Sequence, residues 1–377
     1  MRVAIVSDTM VQSGGAERVV EVLAEAFPSA PVFAILYCPK RGPVSLASRV
    51  RRSWLQAIPG AVRFSKALLP LYPSAIEGFD LSSFDVIISS HHALAKGVLR
   101  SAGQVHICYC HTPMRALWER PNEEVYRAPW AARPFVRQIL AALRMWDLAT
   151  VSRVDHFLVN SGVTKHRVWK HYRRSSAVLH PPIDTERFTP GASVGDYYLV
   201  AGRNVPYKRI DLAIAAAERL GRRVVVVGDG TEKLSASNPN VEIRGKVADA
   251  ELVALMRGAR ALIFPQFEDF GMTVLEMNAC GRPVIAYGDG GALETVIDGT
   301  TGVLFRRQTV DDVCAAIVRF ESMSFDPAAI REHALRFSKE TFIATMRALV
   351  ANIATASSVQ DGGTDVMPET VLAASLR

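Results

Sequence analysis

The chain has 377 residues, 49% of them hydrophobic and 21% charged, with a formal net charge of +7. This is an ordinary globular composition, without a collagen-like period, and at roughly 100–200 residues per domain it predicts two domains. No apolar run reaches the roughly 18–20 residues that cross a bilayer, and Met1-Arg2-Val3-Ala4-Ile5-Val6 reads as a first strand rather than a secretory leader.

The first alternating series opens with a strand at Val3–Ser7, the loop "DTMVQSGGAE" and a helix from Ala16 to Phe27. Strands are then expected at Val32–Leu36, Val86–Ser89, His106–Cys110 and His156–Asn160. The second series runs through a strand at Tyr197–Ala201, a helix at Ile210–Leu220, and strands at Val224–Gly228 and Val241–Arg244. It ends with a helix at Asp249–Arg257, a strand at Ala261–Phe264, a helix at Thr273–Cys280 and a strand at Val284–Tyr287. Short β-branched runs alternating with amphipathic helices predict an α/β chain with two Rossmann-like, doubly wound parallel sheets. Ligands of such folds bind outside the carboxyl ends of the strands. The domains expected are residues 1–185 and 186–335, then a C-terminal helix at 336–354 packing back on the first domain, and a disordered tail at 355–377.

Charge divides unevenly between the halves. Residues 1–190 carry 24 Lys and Arg against 14 Asp and Glu, and residues 191–377 carry 20 against 23. The basic half implies an anionic partner: nucleic acid, a phosphate-bearing substrate or an anionic membrane. Nucleic acid would need aromatic stacking platforms or a known module on the basic face, and neither is found. Five cysteines, an odd number without framework spacing, indicate a reducing compartment. Cys108-Tyr109-Cys110-His111 lacks the second ligand pair of a zinc site and reads as buried strand.

Four stretches carry chemistry. In "SGGAERV", Gly14 and Gly15 between a strand and a helix let backbone amides approach an anion or a sugar. The pattern is neither a P-loop nor the dinucleotide fingerprint. In "AGRNVPYKRIDL", Arg203 and Lys208 at a strand end form a clamp for two phosphates, or else Lys208-Arg209 is a solvated pair before a helix. In "FEDFGMTVLEMNACGRPVIA", Gly271 aims the Met272 and Thr273 amides at an anion with a helix dipole behind them. Glu268 lies before that turn and Glu276 in the helix's first turn, so each carboxylate can take a diol at one end of a nucleotide-sugar. In "YCHTPMRALWE", His111 ends a strand, where a structural role competes with a functional one; Arg115 and Trp118 are second-tier, acceptor-side candidates.

Together, Glu268…Glu276, Arg203 with Lys208, the Gly14-Gly15-Ala16-Glu17 loop and "PPID…F" at 181–188 resemble the family 4 retaining glycosyltransferases of GT-B fold. "YCHTPMRALWE" and the opening "VAIVSDTMVQSGGAERVVE" further resemble a bacterial branch of O-antigen and exopolysaccharide mannosyltransferases. The resemblance implies two domains facing a central cleft and a nucleotide-sugar donor used as a substrate with no cofactor; no DxD-type metal site stands at a strand end, Asp8 and Asp229 being isolated, so no metal requirement is expected. It implies GDP-mannose as donor and a polyprenyl-diphosphate-linked glycan as acceptor, at the cytoplasmic face of the inner membrane. Residue by residue, it places Gly14 and Gly15 near the diphosphate and acceptor and His111 near the donor sugar. Arg203 and Lys208 take the pyrophosphate, Glu268 the hexose and Glu276 the ribose. The chain departs from the family at Pro181-Pro182, where an Asn-Gly turn is frequent, and at Thr273-Val274, where a proline is frequent. Two alternatives stand beside this reading: a family 4 enzyme using a UDP-sugar or another GDP-sugar, and a catalytically silent nucleotide-sugar binder.

The stretch "SRVRRSWLQAIPGAVRFSKALLPLYP", residues 48–73, interleaves Arg and Lys with Trp54, Leu55, Phe64, Leu68 and Leu69. It reads equally as an interfacial segment resting on an anionic leaflet or as two amphipathic helices facing the core.

Overall fold

The structure, a computed structural model, describes residues 1–12, 14–236 and 238–357. Ser13 of the first glycine loop and the expected tail beyond Ser357 lie outside the described residues. The chain divides into two units, Met1–His180 with the chain from Phe342 onward, and Pro181–Thr341. The first break falls at Pro181 because the chain beyond it is bonded into the second unit. The Ile183 amide donates to the Phe337 carbonyl at 2.8 Å, and Arg331 donates to the Thr185 and Phe188 carbonyls at 3.2 and 2.9 Å.

In the first unit, β1 (Val3–Met10), β2 (Val32–Tyr37), β3 (Val50–Arg52), β4 (Val86–His91), β5 (Val105–Cys110), β6 (His156–Val159) and β7 (Ala177–Val178) form one sheet in the order β3-β2-β1-β4-β5-β6-β7. All neighbours are parallel, with Ile5 opposite Val32 and Ile88, and His91 opposite Cys110. The strands read as continuous apolar runs because helices cover both faces. One face packs on α1 (Gly15–Ala26) through Val19, Val20 and Leu23. The other carries α2 (Tyr72–Glu77), α3 (Arg115–Trp118), α4 (Pro121–Arg127) and α5 (Arg133–Ala149), with α6 (Gly162–Tyr172) following β6.

The segment at 48–73 is not a pair of helices. It opens as the edge strand β3 and continues through single 3-10 turns at Trp54–Ala57 and Leu69–Leu71. Pro59 and Gly60, the latter at φ +75°, stop helix growth after the first turn. Arg49 is structural: its guanidinium donates to the carbonyls of Ala24, Phe27 and Ala30.

In the second unit, β8 (Tyr197–Ala201), β9 (Arg223–Val227), β10 (Val241–Gly245), β11 (Leu262–Phe264), β12 (Val284–Tyr287) and β13 (Gly302–Phe305) form a parallel sheet in the order β10-β9-β8-β11-β12-β13. Around it lie α7 (Ile210–Leu220), α8 (Asp249–Gly258), α9 (Met272–Ala279), α10 (Ala292–Thr295), α11 (Val310–Glu321) and α12 (Pro327–Leu335). Two cores flank this sheet: α7 and α11 on one face, α8 and α9 on the other. The last helix, α13 (Lys339–Ser357), sends Phe342, Met346, Leu349, Val350 and Ile353 into the α1-side core of the first unit. Their three-to-four-residue spacing is one helix face.

Each sheet reverses its strand order once, between β1 and β4 in the first unit and between β8 and β11 in the second. At such a switch point the loops leaving adjacent strands diverge and open a crevice at the carboxyl edge. Arg203, Lys208, Glu268 and Gly271 lie on the chain leaving β8 and β11, and Gly14 and Gly15 follow β1, whereas His111, Arg115 and Trp118 follow β5.

Candidate active site

In the second unit the chain leaving β8 carries Gly202, Arg203 and Lys208, and the chain leaving the neighbouring β11 carries Glu268 and Gly271. The Lys208 ammonium is bonded directly to the Glu268 carboxylate, sixty residues away in sequence. Both side chains are partly buried, and the ammonium also lies 6.0 Å from the Phe264 ring centroid. Arg203, in contrast, is exposed, and its guanidinium makes no hydrogen bond or ion pair among the described residues. A paired ammonium and an unpaired guanidinium therefore stand at one strand end. That supplies two cations for a diphosphate, one of them already positioned by a carboxylate.

The turn after Glu268 is built by glycine. Gly271 caps α9 at φ +88°, in the left-handed region that side chains avoid. The first amides of α9, those of Met272 and Thr273, have no partner inside the helix and belong to partly exposed residues. Glu276 is the fifth residue of α9, in its second turn rather than the first, and is buried. It reaches the same region for a geometric reason: residues four apart share a helix face, and helical side chains lean toward the N-terminus. Glu276 thus shares a helix face with Met272, the first residue of α9.

Sequence reasoning passed over the loop that supports this turn, Gly288-Asp289-Gly290-Gly291. The Gly291 amide donates to the Glu268 carbonyl at 2.8 Å. A Cβ on Gly291 would stand 2.2 Å from the Phe270 Cα, and one on Gly290 2.5 Å from the Glu268 carbonyl oxygen. Only glycine admits the Glu268 loop so close. The doublet resembled any other turn in the sequence, and its contact partner lies some twenty residues upstream. Gly228, at φ +140°, likewise passes under Gly202: a Cβ there would meet the Gly202 carbonyl oxygen at 1.9 Å.

In the first unit, Gly14 is the N-cap of α1 and Gly15 its first residue. Gly14 is extended and leaves room for Glu17, whose Oε2 would lie 2.9 Å from a Cβ at that position. Glu17 is buried in the first turn of α1, an acid at the positive helix end.

His111 follows β5. Its Nε2 lies 2.9 Å from the Ser90 hydroxyl, its amide donates to the His91 carbonyl at 2.8 Å, and its carbonyl accepts from Thr164 at 3.0 Å. Nδ1 makes no hydrogen bond among the described residues. Burial, with a further contribution from neighbouring His92, pushes the His111 pKa down to about 3, so the ring is neutral at physiological pH. A neutral ring held through one nitrogen leaves the other to meet a hydroxyl.

Asp8, at the end of β1, is isolated in sequence but not in the fold. Its carboxylate accepts four amides from the chain after β4: His92 at 2.8 Å, Ala93 at 2.9 Å, Leu94 at 2.6 Å and Ala95 at 2.7 Å. This anion spans the switch point of the first sheet and fixes the loop that bears His91 and His92.

Trp118 is anchored rather than free. Its indole donates to Asp147 at 2.8 Å, and Tyr172 donates to the same carboxylate oxygen at 2.9 Å. The other Asp147 oxygen pairs at 2.7 Å with Lys96, both side chains being fully buried. One edge of Trp118 therefore belongs to a buried ion-pair network. Arg115 begins α3, three residues earlier, and is partly exposed. Among the described residues no group of three His, Cys, Asp or Glu stands close enough to hold a metal ion.

Comparison with known proteins finds family matches for both halves of the chain. The family described as "Glycosyltransferase Family 4" matches residues 13–187, and "Glycosyl transferases group 1" matches residues 183–340. A D-inositol 3-phosphate glycosyltransferase of Mycolicibacterium smegmatis is 30% identical over 244 residues, 55% of this chain and 54% of the relative. Its counterpart from Geodermatophilus obscurus is 30% identical over 264 residues, 58% of each chain. The chain thus spans little more than half the length of the curated relatives it matches. Among solved structures, Anabaena HepE in complex with UDP and glucose superposes with a TM-score of 0.67 at 16% identity, over 94% of this chain and 99% of the other. Sucrose-phosphate synthase from Thermosynechococcus elongatus does so with a TM-score of 0.68 at 18% identity, over 94% and 100%. The two family matches together span residues 13–340 and the fold is shared over 94% of the chain: each half matches a glycosyltransferase family model, family 4 and then group 1, on a GT-B fold.

Proposed function

We propose that the chain transfers a hexose, with retention, from a nucleoside diphosphate sugar to a lipid-linked glycan, without a metal. The observation that carries the donor assignment is the convergence at the second sheet's switch point of Lys208, Glu268 and the capped end of α9, with Arg203 unpaired beside them. In this reading Arg203, Lys208 and the Met272 and Thr273 amides take the diphosphate, Glu276 the ribose diol and Glu268 the hexose. The anomeric C–O bond to the diphosphate breaks while the acceptor hydroxyl attacks the same face. The hydroxyl proton passes to the departing phosphate oxygen. Charge builds on the sugar and the leaving group, and fixed cations and helix-end amides stabilise the latter at no reorganisation cost. Two cations and a helix N-terminus supply the charge that a metal would otherwise bring.

For the donor we take GDP-mannose, and for the acceptor a polyprenyl-diphosphate oligosaccharide of exopolysaccharide or O-antigen assembly at the cytoplasmic face of the inner membrane. Both are supported by the resemblance of "YCHTPMRALWE" and the opening loop to that mannosyltransferase branch. A second donor reading is a UDP-sugar, favoured by the UDP-glucose and UDP complexes of HepE. Incubating the protein with radiolabelled GDP-mannose and a lipid extract tests the reading. Label in the butanol phase, released by mild acid as an α-mannoside, supports it. Label that appears only from UDP-sugars keeps the enzyme and replaces the donor, and label that appears only on inositol phosphate replaces the acceptor.

A further inference from the structure

The first unit presents an apolar, arginine-rich surface far larger than an isolated exposed residue, and it is not the segment at 48–73. The exposed side chains are Tyr126 at 61% on α4, Trp130 at 81% in the following turn, and Phe135 at 74% and Met145 at 71% on α5. Helix α5 is apolar on two faces. Leu140 and Leu143 enter the core, while Phe135, Ala142 and Met145 recur at helical spacing on the exposed side. A helix with only one buried neighbour has no packing reason to be apolar on its outer side.

The charges beside that stripe have one sign. From Trp130 to Ala149 the chain has Arg133, Arg137 and Arg144 and a single acid, Asp147, which is buried with Lys96. Other acids near it are paired: Arg120 lies 3.6 Å from Glu123 and Arg127 lies 2.6 Å from Glu124 on α4, and Glu77, which accepts from the Trp146 indole at 3.0 Å, lies 2.7 Å from Arg153. Arg133 sits over the Tyr126 ring, 5.2 Å from its centroid, which joins α4 and α5 into one surface. Arg137 is exposed and without a partner among the described residues.

From this we propose that the Tyr126–Met145 surface docks the protein on an anionic bilayer. Trp130 and Phe135 enter the headgroup–acyl boundary, and Arg133 and Arg137 meet lipid phosphates. Tryptophan and arginine beside exposed aliphatic and aromatic carbon are the chemistry an interface selects, since apolar burial and surface potential act on the same residues. A protein partner of opposite charge would need an acidic apolar groove, whereas an anionic leaflet supplies both features without shape complementarity. The inference rests on this surface alone and holds whichever sugar the site transfers.

Vesicle co-sedimentation of the full chain without donor tests it, using phosphatidylglycerol-containing vesicles, pure phosphatidylcholine vesicles and two salt concentrations. The expected result is binding to the anionic vesicles that weakens with salt, with little binding to neutral ones. Trp130→Ser with Phe135→Ser should lower the partition coefficient at least about tenfold. Arg137→Glu, a single exposed substitution that changes the charge by two, should lower it by about twenty-fivefold, at about fivefold per charge. Trp54→Ser with Phe64→Ser should leave it unchanged. Equal binding of wild type and the Trp130/Phe135 variant, absence of binding to anionic vesicles, or loss only in the Trp54/Phe64 variant would overturn the proposal. A wild-type dimer in sedimentation velocity that dissociates in the Trp130/Phe135 variant, without vesicle binding, would assign the surface to a second copy instead.

Discussion

Lys208 and Glu268 are bonded to each other across the strand reversal of the second sheet, and neither is fully buried. An ion pair at a strand end, beside an unpaired Arg203 and a glycine-capped helix, is poised to exchange partners. The ammonium can pass to a phosphate and the carboxylate to a sugar hydroxyl without exposing an uncompensated charge at any point.

Removing one partner should therefore be worse for catalysis than for folding. Lys208→Met is expected to reduce kcat by about 10²–10³-fold, the scale of losing one preorganised electrostatic contact to the leaving group. Glu268→Gln should fall in the same range. The double variant should lose less than the product of the two single losses, because each single change leaves its partner unpaired. Steady-state donor hydrolysis by the four proteins of the cycle checks this; strictly multiplicative losses would show that the pair does not act as a unit.

The glycine contacts yield a sharper steric expectation. Gly291→Ala should weaken donor binding while leaving the protein folded at reduced stability, by about 1–3 kcal/mol, since the new Cβ must push the Phe270 backbone and with it the Glu268 loop. Gly221→Ala is the control. It has a left-handed φ of +62° but nothing within 4 Å, so it should cost about 1–2 kcal/mol and leave donor affinity unchanged. Calorimetric titration and thermal melts of both variants make the comparison.

Asp8 should prove structural with a functional consequence. Asp8→Asn replaces a carboxylate oxygen that accepts two amides by an NH2 group that faces donors. A loss of about 2–4 kcal/mol is expected. Hydrogen exchange should rise at the amides of residues 92–95 before it rises elsewhere in the first sheet. Unchanged protection there would remove Asp8 from this role.

The buried histidines give a pH dependence whose sign is fixed. Burial holds the His91 pKa well below the ordinary value, and His106 is pushed down to about 3. The folded state thus resists protons that the unfolded chain binds near pH 6.5. This stability is fully present above about pH 6.5 and is lost as the pH falls toward 3, at up to about 1.4 kcal/mol per unit for each ring. Urea midpoints should fall between pH 7 and pH 5, and His106→Gln should flatten that slope.

Much of the fold was legible because parallel strands covered on both faces are unbroken apolar runs. Val3–Ser7, Val86–Ser89 and Tyr197–Ala201 each stand out without knowledge of their neighbours. The short edge strand at Val50–Arg52 did not, because two of its three residues are arginines and its pairing with Val32–Ala34 is non-local. Glu268, Gly271 and Lys208 were legible as residue types at strand ends, but their pairing was not, since sixty residues separate lysine and acid. Asp8 looked isolated for the same reason: its partners are backbone amides more than eighty positions away, and amides leave no mark in a sequence. The arginine-rich exposed stripe of α5 was hidden in a helix whose buried face is equally apolar. Only solvent exposure separates the two.

The most direct test of the central claim is calorimetric binding and slow hydrolysis of a donor panel, GDP-mannose, GDP-fucose, UDP-glucose, UDP-galactose and UDP-N-acetylglucosamine, each with and without EDTA, on wild type and Lys208→Met. The account requires a nucleoside diphosphate sugar, GDP-mannose first among them, to bind and turn over regardless of EDTA, and Lys208→Met to lose that turnover. Binding of no donor, turnover abolished by EDTA, or full turnover in Lys208→Met would contradict it.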